Sequence, residues 1–164
     1  MANEQDAHPT PAEIRLHEVG GRTVQSWEDD WSRVKNGFKI NTPALKMLLG
    51  VYRATLDGKI MYIGESVEIN KGLRKRLRDY SRKSDSAIKH TGAQKILEHI
   101  DDVECDVIVV GVDEVAKYNT KELKKLLLML HDPECNSDDE VISEQRKTFY
   151  KKSALQKSSK DEAP

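Results

Sequence analysis

The stretch GVYRATLDGKIMYIGES, at positions 50–66, constrains the fold of this chain more than any other. Two runs rich in β-branched and aromatic residues flank the dipeptide Asp57-Gly58. Asp-Gly between such runs is typical of the tight turn of a β-hairpin. The stretch therefore predicts two antiparallel strands joined by a short turn.

The length of this turn decides which way the two tyrosines point. With a two-residue turn, Tyr52 would lie opposite Ile63, and Tyr62 would fall on the other face of the hairpin. With a three-residue loop that also includes Leu56, Tyr52 would lie directly opposite Tyr62, with both phenols on one face. Both loops suit the sequence, so a site that the two tyrosines share predicts the three-residue loop.

An amphipathic pattern precedes the hairpin. Apolar residues recur at steps of three, four and three in TVQSWEDDWSRVK, which predicts one helix face that carries Val24, Trp27, Trp31 and Val34. Thr23 is a suitable N-cap for this helix. We expect the two tryptophans to pack the helix on the main domain.

The rest of the chain predicts three helices and one strand. After the hairpin, Leu73, Leu77 and Tyr80 recur at helical spacing, and VECDVIVVGV is rich in β-branched residues. The predicted elements are a helix over 72–84, a helix over 87–100, a strand within 103–112, and a leucine-faced helix over 119–132 that ends before Pro133. This order indicates an α+β fold with a small three-stranded antiparallel sheet flanked by helices. We expect an N-terminal extension at 1–43, the main domain at 44–136, and a charged, partly disordered tail at 137–164.

The composition excludes several classes of protein. Charged residues make up 34% and hydrophobic residues 37%, and no apolar run approaches the length of a bilayer span. The polar N-terminus lacks the order of a signal peptide. Cys105 and Cys135 form neither a CxxC motif nor a Cys/His cluster, so neither a disulfide framework nor a zinc site is expected. These features predict a cytoplasmic or otherwise intracellular protein with reduced thiols and no membrane contact.

The positive charge is concentrated in the middle of the chain. Residues 50–100 carry 11 Lys and Arg against 6 Asp and Glu, although the whole chain has a net charge of −1. Seven of the thirteen residues at 71–83 are basic. A local basic patch on a nearly neutral protein indicates a site for a polyanion, and a solvated helix face is the alternative.

Four motifs together resemble the GIY-YIG nuclease superfamily. They are GVY at 50–52, YIG at 62–64, LRKRLRDY at 73–80 and PECN at 133–136, and they span 50–136. The resemblance implies a three-stranded antiparallel sheet with flanking helices. It also implies an endonuclease that hydrolyses phosphodiester bonds in DNA with one divalent ion, Mg²⁺ or Mn²⁺.

The resemblance implies a role for each matching residue. Tyr52 would help to deprotonate the attacking water, and Tyr62 would orient water or phosphate. Arg76 would stabilise the charge that grows on the phosphoryl oxygens, and Tyr80 would lie beside the scissile phosphate. Further phosphate or nucleic-acid contacts are expected at Lys59, Arg74, Arg78 and Asn136. Gly50 and Gly64 would allow the close approach of backbone or ligand.

The metal ligand departs from this pattern. In the family, a glutamate usually lies nine residues before the proline of the last motif, and Lys124 occupies that position here. The nearest carboxylate in the helix is Glu122, which we expect either as the metal ligand or as the N3 residue of a capping box with Asn119 as its N-cap. Glu65 is a less favoured ligand. A lysine at this position favours the alternative function, an inactive domain of this type that binds nucleic acid or a partner protein.

Overall fold

The computed structural model of the chain describes residues 8–39, 43–82 and 91–136. The predicted tail at 137–164, the first residues of the predicted helix at 87–100 and the last two of the helix at 72–84 lie outside these ranges. Five helices and six strands occur within the described residues. In chain order they are α1 Pro11–Leu16, β1 Glu18–Val19, β2 Arg22–Thr23, α2 Val24–Glu28, β3 Ser32–Val34, β4 Leu49–Leu56, β5 Lys59–Ser66, α3 Gly72–Ser81, α4 Thr91–Glu98, β6 Glu104–Gly111 and α5 Glu114–His131.

The main sheet has four antiparallel strands in the order β3-β6-β4-β5, and β1 and β2 form a separate small hairpin. The α+β class is confirmed, and β4, β5 and β6 are the three expected strands. The fourth strand, β3, was not expected. It pairs with β6 through partners such as Ser32 with Val107 and Val34 with Cys105.

The predicted amphipathic helix is correct only in its first half. Thr23 caps α2 by accepting a hydrogen bond from the Ser26 amide at 3.2 Å, as expected. Trp27 is buried, and its indole N–H donates to the Val19 carbonyl at 2.9 Å. The helix ends at Glu28, however, and Val34 belongs to β3. The cause is tertiary, because β6 offers the following residues a ladder of backbone hydrogen bonds that a longer helix would leave unused.

The hairpin places Tyr52 and Tyr62 on one face of the sheet by a combination of turn and bulge that neither predicted loop describes. The turn contains two residues, Asp57 at φ 52° and Gly58 at φ 79°. A β-bulge then inserts one extra residue in β5, so that Ala54 lies opposite Tyr62 and Tyr52 lies opposite Gly64. The extra residue reverses the alternation of side chains beyond the bulge. Both tyrosines therefore share one face, although the three-residue loop is wrong.

The sheet separates two hydrophobic cores. One core lies on the side of α3 and contains Phe38, Tyr52, Leu73, Leu77, Tyr80 and Cys105. The other lies on the side of α5 and contains Trp27, Val51, Ile63, Ile108, Leu123 and Leu127. The side chains of β4 and β5 point alternately into the two cores, as expected for strands covered on both faces. Helices α3 and α5 thus lie on opposite faces of the sheet, next to its edge strand β5.

No helix of the described residues has the length and apolar character needed to cross a bilayer.

Candidate functional site

A cavity of about 440 Å³ lies beside β5, and α3 and α5, which lie on opposite faces of the sheet, both contribute residues to its lining. Strand β5 contributes Tyr62 and Glu65, and α5 contributes Lys124. Arg76 reaches the cavity from α3. Other lining residues come from α3 and from the segment that precedes it, and they include Glu68, Lys71, Lys75 and Asp79. The structure therefore brings Tyr62, Arg76 and Lys124 together in one cavity.

Two of the three predicted tyrosines lie behind this cavity rather than in its wall. Tyr52 is completely buried, and its hydroxyl group lies 2.6 Å from the hydroxyl group of Tyr80. The rings of Tyr52 and Tyr62 are 6.1 Å apart between centroids, and Phe38 packs edge-on against both Tyr52 and Tyr80. Of the three tyrosines, only Tyr62 lines the cavity.

The phenols of this cluster are poor bases. Burial raises the pKa of Tyr52 well above the usual value for tyrosine, and the neighbouring Tyr80 and Tyr62 raise it further, against the opposing charge of Arg76. Burial also raises the pKa of Tyr62, although Arg76 again acts in the opposite direction. Burial raises the pKa of Tyr80 as well. All three therefore stay protonated at neutral pH, where a phenol can donate a hydrogen bond.

The glycines of the hairpin allow the close packing expected of them. A side chain at Gly64 would overlap the ring of Tyr52, which lies across this position from β4. A side chain at Gly50 would overlap the backbone carbonyl of Ile108 on β6. Gly64 therefore allows the Tyr52 ring to approach β5 two residues from Tyr62.

The cations of the cavity fall into two groups. Lys71 forms an ion pair with Glu68 at 2.9 Å, and Lys75 forms one with Asp79 at 3.0 Å. Arg76 and Lys124 form no ion pair with any carboxylate in the described ranges. Arg76 is half-buried, and its buried Nε atom has no hydrogen-bond partner among the described residues. Arg76 and Lys124 thus leave the cavity with two positive charges that no ion pair neutralises.

The predicted capping role of Glu122 is wrong, and Glu122 lies outside the lining of the cavity where a metal ligand would be expected. Helix α5 begins at Glu114 with Asp113 as its N-cap, so Asn119 lies inside the helix and Glu122 does not belong to a capping box. Glu122 forms an ion pair with Lys125 at 3.5 Å and does not line the cavity. Lys124 lines it instead, because residues two apart on a helix point about 200° away from each other.

The residues present do not fit the expected Mg²⁺ or Mn²⁺ ion. Divalent ions of this kind prefer carboxylate and other oxygen ligands. Within 8–39, 43–82 and 91–136, no group of three or more His, Cys, Asp or Glu side chains could hold a metal ion. Of the cavity carboxylates, Glu68 and Asp79 already pair with lysines, which leaves Glu65.

Three of the predicted phosphate contacts lie away from the cavity. Arg74 and Arg78 are half-buried residues of α3 that do not line it. Lys59 is exposed at the start of β5, and its ammonium group lies 3.6 Å from a carboxylate oxygen of Glu134. These residues remain candidates for contacts with a larger ligand outside the cavity.

The side chain of Asn136 supports β5 by two hydrogen bonds to the backbone of this strand. Its side-chain oxygen accepts a hydrogen bond from the Ile63 amide at 2.8 Å, and its side-chain nitrogen donates to the Ile63 carbonyl at 2.9 Å. Because β5 lies at the edge of the sheet, these bonds satisfy backbone groups that lack a strand partner. Asn136 thus fixes the backbone next to Tyr62 and does not line the cavity.

Sequence reasoning missed Lys71 and Lys75 as lining residues. Their spacing of four, continued by Asp79, could have indicated a shared helix face distinct from that of Arg74 and Arg78.

Comparisons of the chain with protein-family models, with curated proteins and with solved structures give no match.

Proposed function

We propose that this protein is a GIY-YIG-like domain that binds DNA, and that it holds a phosphate of the DNA backbone in the cavity beside β5. One observation carries this proposal: Arg76, Lys124 and Tyr62 meet in this cavity, and no carboxylate of the described residues pairs with either cation. Arg76 offers a planar fork of donors, Lys124 a compact charge, and protonated Tyr62 a neutral donor. A phosphate accepts bonds from all three kinds of group.

The order of the elements supports the family part of the proposal. Hairpin β4–β5, helices α3 and α4, strand β6 and helix α5 follow each other as the resemblance implies. The position of Tyr52 favours binding over hydrolysis. The hydroxyl group of Tyr52 is buried, shares a hydrogen bond with the hydroxyl group of Tyr80 and has a raised pKa. It is therefore poorly suited to deprotonate a water molecule.

Fluorescence anisotropy with a short fluorescein-labelled DNA duplex at low salt tests the proposal. We expect Arg76→Ala to weaken binding about tenfold or more, because a hydrogen-bonded charge contributes about 1.5–3 kcal/mol. The matched control is Arg82→Ala, which removes an exposed arginine at the end of the same helix, outside the cavity. Circular dichroism verifies that both variants fold. No binding by the unaltered protein, or equal losses in the two variants, would overturn the proposal.

Endonuclease activity is the second candidate, and the shared lining of Tyr62, Glu65 and Arg76 favours it. The test is nicking of supercoiled plasmid in the presence of Mg²⁺ or Mn²⁺. Nicking that disappears in Arg76→Ala and in Tyr62→Phe would support hydrolysis at this site. Bound plasmid that stays intact would leave DNA binding as the function.

A further inference from the structure

The carboxylates of the cavity are unsuited to recruit a divalent ion. Glu68 and Asp79 are held in ion pairs with Lys71 and Lys75 on the same helical segment. Glu65, on β5, is the remaining lining carboxylate among the described residues. A single carboxylate beside two cations binds a divalent ion weakly, because each cation repels it.

The side chain that α5 contributes to the cavity is positively charged rather than negatively charged. Helix α5 directs Lys124 into the cavity, while its neighbour Glu122 pairs with Lys125 away from the lining. Arg76 approaches from α3, on the other face of the sheet. An anion between these two side chains would contact one cation from each side of β5.

We infer that the phosphate binds without a divalent ion, held directly between the ammonium group of Lys124 and the guanidinium group of Arg76. This inference rests on the proposed function, since it concerns the same cavity and the same ligand. It goes further by naming the groups that neutralise the phosphate. Two fixed cations remove the need for a metal bridge between protein and phosphate, and they would compete with any divalent ion for the same oxygens.

The test compares binding of the labelled duplex in EDTA and in Mg²⁺, at equal ionic strength. We expect the unaltered protein to bind the duplex in EDTA and to gain no affinity from Mg²⁺, since Mg²⁺ joins the counterions condensed on DNA and competes with the cations of the protein. Lys124→Ala should weaken binding about tenfold in both buffers, on the scale of one charge-assisted hydrogen bond.

Lys125→Ala is the matched control, because Lys125 is the adjacent residue of α5 and does not line the cavity. It should change the affinity less than Lys124→Ala does. Binding that requires Mg²⁺ would overturn the inference while leaving the proposed function intact, and so would equal effects of the two lysine variants. Absence of binding in both buffers would overturn the proposed function and the inference with it.

Discussion

The hydroxyl groups of Tyr52 and Tyr80 depend on each other because both are buried. They lie 2.6 Å apart, and Tyr52 is wholly inaccessible while Tyr80 is 3% exposed. Removing either one leaves its partner with a lost hydrogen bond, whereas removing both leaves apolar groups that can pack together. Each hydroxyl is therefore expected to stabilise the fold chiefly through the other.

We predict that Tyr52→Phe and Tyr80→Phe each lower the free energy of unfolding by about 1–2 kcal/mol. The double variant should lose less than the sum of the two, because the penalty of an unpaired hydroxyl disappears. Urea unfolding of the four proteins measures this coupling. Strictly additive losses would contradict a hydrogen bond between the two hydroxyls. Tyr52→Phe should also keep its affinity for DNA, since Tyr52 does not line the cavity.

Single residues were predictable where local spacing decides their place. The spacing of Leu73, Leu77 and Tyr80 predicted that they share one helix face, and all three are buried. Glu122 was placed wrongly as a cap, because that assignment assumed a helix that begins after Asn119. Asp113 is also a good N-cap, and α5 begins one turn and more before the predicted start.

The unexpected strand β3 is held by one buried carboxylate. Asp106 on β6 is 4% exposed and accepts hydrogen bonds from Arg33 at 2.7 Å and from Arg53 at 3.0 Å. Arg53 in turn stacks over the ring of Trp31, with 4.4 Å between its guanidinium carbon and the ring centroid. These contacts connect β3, β6 and β4 across the sheet.

We predict that Asp106→Asn lowers the free energy of unfolding by about 2 kcal/mol, because it removes the charge from two ion pairs that meet at a buried group. Glu104→Gln is the control. Its pair with Arg33 spans 2.9 Å, but both side chains are 54% exposed, so the loss should be about 0.5 kcal/mol or less. Chemical denaturation compares them, and equal losses would contradict a special role for Asp106.

Elements that depend on distant partners could not be predicted. Residues 31–34 continue a helical spacing, and the partners that make 32–34 a strand lie more than seventy positions away on β6. The bulge in β5 is similar, since a two-residue turn and a three-residue loop both suit the sequence. The bulge places Tyr62 on the same face of the sheet as Tyr52 and Arg76, and no local feature of the sequence marks the position of the bulge.

At the scale of the whole molecule, the cavity depends on the arrangement of three layers. The alternation of β4 and β5 sends Tyr52 towards α3 and Val51 towards α5. Residues of both helical layers line the cavity beside edge strand β5, and Asn136 hydrogen-bonds to the backbone of this strand. Arg76 and Lys124 can therefore act on one ligand although their helices lie on opposite faces of the sheet.

The central claim is that Arg76 and Lys124 neutralise the same phosphate-bearing ligand, and the salt dependence of DNA binding tests it most directly. The logarithm of the binding constant for a duplex falls with the logarithm of the salt concentration, by about 0.9 for each phosphate charge neutralised. We predict that the double variant Arg76→Ala/Lys124→Ala has a slope shallower by about 0.9 than that of the unaltered protein, because the two side chains neutralise one phosphate. A slope that stays the same in the double variant would contradict the claim.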